Sequence, residues 1–362
     1  MKMKKIYMNL HLFGTSIFDM VTAPDQAAYW AAQEQYRTPY LGEELFPADK
    51  QLGTEIKWAK GQSGAPKFLK PAGLDTPAIP RGRKEFDQVL TKLGFFKESL
   101  YVDEDLRQKL NLVMASGNSI MIDTIMNKIF NDNNTLVEGA AVTREIMRMQ
   151  LLFGGTATIE GNGTSYELDY GFDEAHKGNA KVAWSDAKAT PIEDLEDAMD
   201  KIELDTGERP TRAVMNAQTF NQLKKIEEIK HSLTPVGREQ AFVSKENILN
   251  YISTELGLTV AIYNKVYENE EGNSTRFVPD NKVALLPAST LGYTAFATTP
   301  EESDLMSGNS TNAQVAVVDT GVTITTMRKA DPVQVETKVT QFSLPTFENI
   351  DKVFVLDTVA KP

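Results

Sequence analysis

Three consecutive carboxylates, Asp103-Glu104-Asp105, are the first residues in this 362-residue sequence whose type and spacing could do chemistry, as a general acid paired with a base. Such work needs two acids facing each other across a substrate, several ångströms apart. Adjacent acids opening a helix diverge instead and complement the positive end of its dipole, so Asp103 reads as an N-cap. Asp169, Asp173, Glu174 and His176 could ligate a divalent cation, but their spacing fits no ligand template and reads as a solvated loop. Gly161-Asn162-Gly163-Thr164 lacks both the lysine and the strand-to-helix setting of a phosphate loop, so it reads as a turn. No serine sits in a G-x-S-x-G elbow, the three histidines (His11, His176, His231) are scattered, and cysteine is absent. That removes thiolate nucleophiles, disulfides and sulfur-based zinc sites, and no cofactor is expected.

The elements that would carry any function have ordinary globular chemistry. The sequence is 41% hydrophobic and 24% charged, and its length predicts two or three compact units at about 150 residues each. A net charge of −12 disfavours non-specific gripping of a nucleic-acid backbone. No apolar run approaches the ~20 residues of a membrane span. Met1–Phe13 mimics the basic start of a signal peptide, but Asn9 and His11 interrupt it and no small-residue cleavage site follows, so a cytoplasmic product is expected. The four Asn-x-Ser/Thr sequons at Asn133, Asn162, Asn273 and Asn309 then read as turn chemistry, and Trp30, Trp58 and Trp184 as local packing.

Charge is unevenly spread. Between Lys50 and Lys84 stand eight basic residues against two acids, a net +6, in a stretch broken by five glycines and four prolines. Two extended runs there, 55–60 and 66–70, flank Gly61-Gln62-Ser63-Gly64 and predict a β-hairpin with too few apolar residues for a core of its own. Asp186 to Glu208 carries nine acids and two bases, a net −7. A basic arm and an acidic face are complementary surfaces of the kind self-association uses.

Helical periodicity follows. Leu106, Leu110 and Val113 share one face of a short helix, and Ile122, Ile125, Met126, Ile129, Phe130, Val142, Ile146, Met149 and Phe153 continue at helical spacing to Gly154-Gly155. Uninterrupted, Ser119 to Phe153 spans roughly 50 Å, with Asn131-Asp132-Asn133-Asn134 as the expected kink or break. Met121, Met126, Met147 and Met149 read as core filler. The period then switches to two for a hairpin around Gly161-Asn162-Gly163, with Tyr166, Leu168 and Tyr170 on one face. An α/β region is expected next, with helices near 192–202, 218–225 and 245–256 and strands at 213–215, 259–263 and 282–286, before a mostly β tail from Val315 to Val359.

Several ordered strings carry a resemblance. Leu45-Phe46-Pro47 leads through Lys57-Trp58 to Asp75-Thr76-Pro77-Ala78-Ile79-Pro80-Arg81. Arg144-Glu145-Ile146-Met147-Arg148-Met149-Gln150-Leu151-Leu152, Phe277-Val278-Pro279-Asp280-Asn281-Lys282-Val283, Ala330-Asp331-Pro332, Leu344-Pro345 and Asn349-Ile350-Asp351 follow. In this order, over nearly the whole chain, they resemble the lambda-type major capsid protein family of tailed bacteriophages.

That resemblance implies an α+β protein with the Hong Kong 97 capsid fold. It divides the chain into an N-terminal arm (1–49), an extended E-loop (50–84), a peripheral P-domain with a spine helix (85–185 and 306–345), an axial A-domain (186–305) and a last strand returning to the A-domain (346–362). Inter-subunit contacts are expected from Lys57, Trp58, Lys60, Lys67, Phe68, Lys70, Arg81 and Arg83 in the E-loop. Ile122, Ile129, Arg144 and Arg148 are expected to mark the spine helix. The implied function is assembly, without catalysis or a membrane, of hexamers and pentamers into an icosahedral virion shell around double-stranded DNA in the host cytoplasm. A separate scaffolding protein is expected because no long extension precedes the arm, with a portal and a decoration protein as further partners. An encapsulin-like compartment, a tail-tube protein and an acidic hydrolase using Asp103 or Glu104 are the alternatives.

Overall fold

A computed structural model describes residues 20–61, 87–161, 164–234, 243–269, 271–308 and 313–361. Its axis is one unbroken helix, Ser119–Gly154, 36 residues long and therefore roughly 54 Å. The Asn118 side chain caps its start by accepting from the Met121 N–H at 3.2 Å. Gly155 ends it with a left-handed φ of 81°, donating its N–H to the Leu151 carbonyl.

The expected break at Asn131–Asn134 does not occur. The side chains of Asn131 and Asn133 reach sideways instead of competing with the helix backbone. Asn131 Oδ1 accepts from the Tyr29 hydroxyl at 2.7 Å, and Asn133 Nδ2 donates to Thr337 Oγ1 at 3.3 Å. The polar cluster thus ties the helix to an N-terminal helix, Ala23–Glu34, and to a strand, Val333–Pro345. For the same reason the sequon residue Asn133 sits buried in a helix rather than in a turn.

The two halves of the long helix pack differently. Ile122, Met126, Ile129 and Phe130 join Leu110 and Val113 of the preceding helix, Glu104–Ala115, in one apolar cluster. Met147, Met149, Leu151, Leu152 and Phe153 enter a larger core with Leu45, Phe46, Trp58 and Phe347. Met121 departs from its expected core role, lying 49% exposed.

Across the helix runs a six-stranded sheet. Ala48–Gln51 pairs in parallel with Thr294–Ala297, which pairs antiparallel with Val333–Pro345. Val322–Ala330 and Ala313–Val318 continue the order, and Gly94–Val102 also pairs with Val333–Pro345. The last-named strand can be 13 residues long because its side chains are largely buried on both faces.

A second unit is α/β. Its sheet has the order Lys177–Asn179, Phe354–Asp357, Lys282–Leu286, Arg212–Met215 and Thr259–Ile262. Pro191–Thr206 and Lys245–Leu256 bury Leu195, Met199, Ile248 and Ile252 against it, each helix ending at a left-handed glycine.

In the basic arm Glu55–Lys60 pairs antiparallel with Asp87–Lys92, and the Gly61 N–H bonds the Glu348 carbonyl at 3.2 Å. The second run of the expected hairpin, 66–70, lies outside the described residues. The stretch between the paired strands, 62–86, lies outside the described residues.

Candidate functional site

The root of the arm is fixed by alternation. In Glu55–Lys60, Ile56 and Trp58 point inward and are buried, while Lys57 points to solvent. The Trp58 ring stacks on Tyr170, centroids 5.2 Å apart, and the Tyr170 hydroxyl donates to the Pro345 carbonyl at 2.6 Å. Lys60 Nζ donates to the Gly171 carbonyl at 3.0 Å. From the second hairpin, Thr156–Gly161 with Thr164–Asp169, the Tyr166 hydroxyl reaches the Lys92 carbonyl at 2.7 Å. Both described strands of the arm are therefore fixed to the body.

Trp58, one of the expected contact residues, is 4% exposed within its own chain and packs in the core. Lys57 is exposed and Lys60 sits at the root, while Lys67, Phe68, Lys70, Arg81 and Arg83 lie outside the described residues. Tyr166 and Tyr170 were absent from the expected set. Their signal was the alternating aromatic face of the second hairpin.

The four spine residues are brought together only by the helix, not into one site. Ile122 and Ile129 belong to the cluster near its start. Arg144 is buried, donating to Gln341 Oε1 and Asp319 Oδ2 at 2.8 Å each, with its guanidinium 5.4 Å from the Phe296 ring centre. Burial, partly offset by Asp319, lowers its pKa to about 10. Arg148 donates to Thr294 Oγ1 at 3.0 Å and lies 3.5 Å from Glu145. Burial pushes the Glu145 carboxyl up, against Arg148 and hydrogen bonds from Gly42 and Tyr263. Together these residues pin the helix to the sheet and to residues 37–48.

The acidic helix Pro191–Thr206 is less free than its charge suggests. Lys181 bridges Glu193 and Asp197 at 2.9 and 2.8 Å, and Arg209 bridges Asp200 and Glu203 at 2.5 and 2.6 Å. Asp194 is buried and accepts from Trp184 Nε1 at 2.9 Å, while Asp205 meets His176 at 3.2 Å and Lys352 meets Glu208 at 2.8 Å. Lys181, Arg209 and Lys352 thus offset part of the patch's charge within its own chain.

The residues that could have done chemistry are engaged locally. Asp103 caps Leu106 at 2.8 Å, Asp105 pairs with Lys109, and Glu104 accepts from the Val333 N–H at 2.9 Å. Asp169 and Asp173 accept from the Gly171 and Ala175 N–H groups, and Glu174 pairs with Lys177. Among the described residues no cluster of three metal-ligating side chains forms, and no helix is long and apolar enough to cross a membrane.

A long helix crossed by a sheet, an α/β unit and a two-stranded arm is the architecture of the Hong Kong 97 capsid fold. Two solved structures share it. One is a prophage capsid protein of E. coli CFT073, 16% identical, with 93% of this chain and 99% of that one aligned at a TM-score of 0.59. The other is a phage-related protein of Bordetella bronchiseptica RB50, 11% identical, covering 94% and 98% at 0.56. No curated protein matches. The model of the family Phage major capsid protein E matches residues 22–356, and the chain belongs to that family. It is a structural component of a phage capsid.

Proposed function

We propose that this subunit forms hexamers and pentamers that close into the icosahedral head of a tailed phage, assembled in the host cytoplasm around packaged double-stranded DNA. The observation that carries this reading is the family match over 22–356, with the rooted two-stranded arm as its structural complement. Residues 50–84 form the E-loop, which lies over a neighbour and presents Lys57, Lys60, Lys67, Phe68, Lys70, Arg81 and Arg83. The long helix and crossing sheet form the P-domain, with 85–185 and 306–345 as its two main stretches and Ala48–Gln51 and Thr294–Ala297 completing its sheet. Most of 186–305, with Lys177–Asn179 and the closing strand, forms the A-domain, whose loops gather at capsomer centres.

A heterologous contact closes only at the correct rotation, so a separate scaffolding protein guides curvature. A portal interrupts the shell and a decoration protein can reinforce it. The chain works without catalysis, and its net charge of −12 fits an interior that does not grip DNA. Negative-stain electron microscopy of the full-length protein, beside light scattering and with or without a scaffold, tests the reading. Closed shells or capsomer rings support it, and a monomer under every condition overturns it. Shells that carry a protein cargo and no portal would favour a compartment instead.

A further inference from the structure

Glu145 stands where three distant parts of the chain meet. Its Oε1 accepts from the Gly42 N–H at 3.1 Å, in a strap formed by residues 37–46, and from the Tyr263 hydroxyl at 2.9 Å, beside the outer strand of the α/β sheet. Arg148, one turn along the long helix, stands 3.5 Å from the other carboxylate oxygen. The side chain is fully buried, and Gly42 leaves nothing between them. A Cβ at Gly42 would fall 2.3 Å from Glu145 Oε2 and 2.6 Å from Arg148 Cδ.

The strap is held to the α/β unit by a second set of contacts. Lys265 Nζ donates to the Thr38 and Pro39 carbonyls and lies 4.1 Å from the centre of the Tyr40 ring, which meets Phe277 edge-on at 5.7 Å. Beside the clasp a cleft of about 250 Å³ is lined by Arg37, Glu43, Arg148 and Asp319 among others. Its cations and carboxylates alternate, so it offers a ligand no net charge. It does leave open space beside the strap, and the Nη1 atom of Arg37 is buried without a hydrogen-bond partner among the described residues.

We propose that Gly42, Glu145 and Tyr263 form a clasp that fixes the angle between the long helix and the α/β unit and, through it, the curvature of the shell. This rests on the shell-forming reading. One buried carboxylate oxygen accepts from two elements at once, and hydrogen bonds to an ionised acceptor are about twice as strong as neutral ones. Removing either donor leaves part of a buried charge unsatisfied, so the three elements hold together or shift together. Shell closure depends on the rotation between subunits, and a change of internal angle alters that rotation.

The absence of cysteine allows spin labels to be placed cleanly through Asp132→Cys on the long helix and Glu196→Cys on Pro191–Thr206, both exposed. Pulsed electron paramagnetic resonance on the full-length chain then reads the helix-to-unit distance. Tyr263→Phe keeps the ring stacked on Phe277, so it tests the hydroxyl even where Gly42→Ala fails to fold. The expected result is a broadened or shifted distance distribution in the folded variants and a wider spread of particle diameters by electron microscopy. An unchanged distance in Tyr263→Phe overturns the clasp, whether or not shells form. A changed distance with unchanged particles overturns its role in curvature. Failure of the parent to form shells counts against the shell reading alone, because the distance still decides the clasp.

Discussion

Trp58 and Tyr170 stack with ring centroids 5.2 Å apart and planes inclined by 30°, joining the arm to the second hairpin. Trp58→Ala removes that contact from the larger core and is expected to lower stability by about 3 kcal/mol, read as the urea midpoint. Lys57→Ala, one residue away and solvent-facing, should shift it by no more than about 0.5 kcal/mol. Faster amide exchange in 55–60 and 87–92 should accompany only the first. Equal shifts would mean that the root is not anchored by the indole.

Acid should weaken the six-stranded sheet through two carboxyls. Burial raises the Glu301 pKa, but hydrogen bonds from Lys338 and Thr340 outweigh it and hold the group below its ordinary 4.5. Glu336 is likewise raised by burial and lowered further by Lys329, Ser99 and Tyr101. A carboxyl with a depressed folded pKa contributes stability that is full above the unfolded value and is lost as pH falls through the folded one. The urea midpoint should therefore drop on going from about pH 5 to about pH 3, and less steeply in a Glu301→Gln, Glu336→Gln double variant. Identical slopes would remove these two groups from the acid transition.

Arg144 and Asp319 should be energetically coupled. The guanidinium is 3% exposed and its salt bridge to Asp319 is 2.8 Å, so neutralising the acid leaves a buried cation undercompensated. Asp319 has a φ of 51°, which asparagine tolerates, so Asp319→Asn tests charge without added backbone strain. It should cost about 1–2 kcal/mol. With Arg144→Met in the background the same change should cost much less, and strict additivity in the double-mutant cycle would refute the coupling.

These contacts differ in how far sequence could reveal them. The long helix, the second hairpin and the α/β strands were legible because their apolar residues repeat at 3.6 or at 2. Asn131–Asn134 misled because a polar run reads as a break when its partners, Tyr29 and Thr337, lie about a hundred or two hundred residues away in the chain. The pairing of Glu55–Lys60 with a strand that begins at Asp87 was not legible, since strand pairing favours no partner from local pattern alone. Trp58 was legible as a packing residue, but its stacking partner Tyr170 sits on a distant hairpin that local pattern could not assign to it. The Gly42, Glu145 and Tyr263 meeting point left no local trace, because each residue is unremarkable within its own segment. The basic and acidic stretches were read correctly as compositions, but ion pairs such as Lys181 with Asp197 show that composition overstates the charge left for a partner.

Gly155 separates two costs that usually arrive together. Its φ of 81° disfavours a side chain, and a Cβ would lie 2.3 Å from Phe172 Cβ. Asparagine relieves the first cost but not the second. Gly155→Ala and Gly155→Asn should therefore both destabilise by more than the roughly 1 kcal/mol that left-handed strain alone explains. Phe172→Ala keeps the clashing Cβ, so only Phe172→Gly opens the space, and because that change also forfeits the ring's packing against Phe347, 6.4 Å away, the informative quantity is the interaction energy. In the Phe172→Gly background, where no Cβ remains to clash, Gly155→Asn should become nearly neutral. A persistent cost there would place the penalty in the backbone of the helix end rather than in the contact with Phe172.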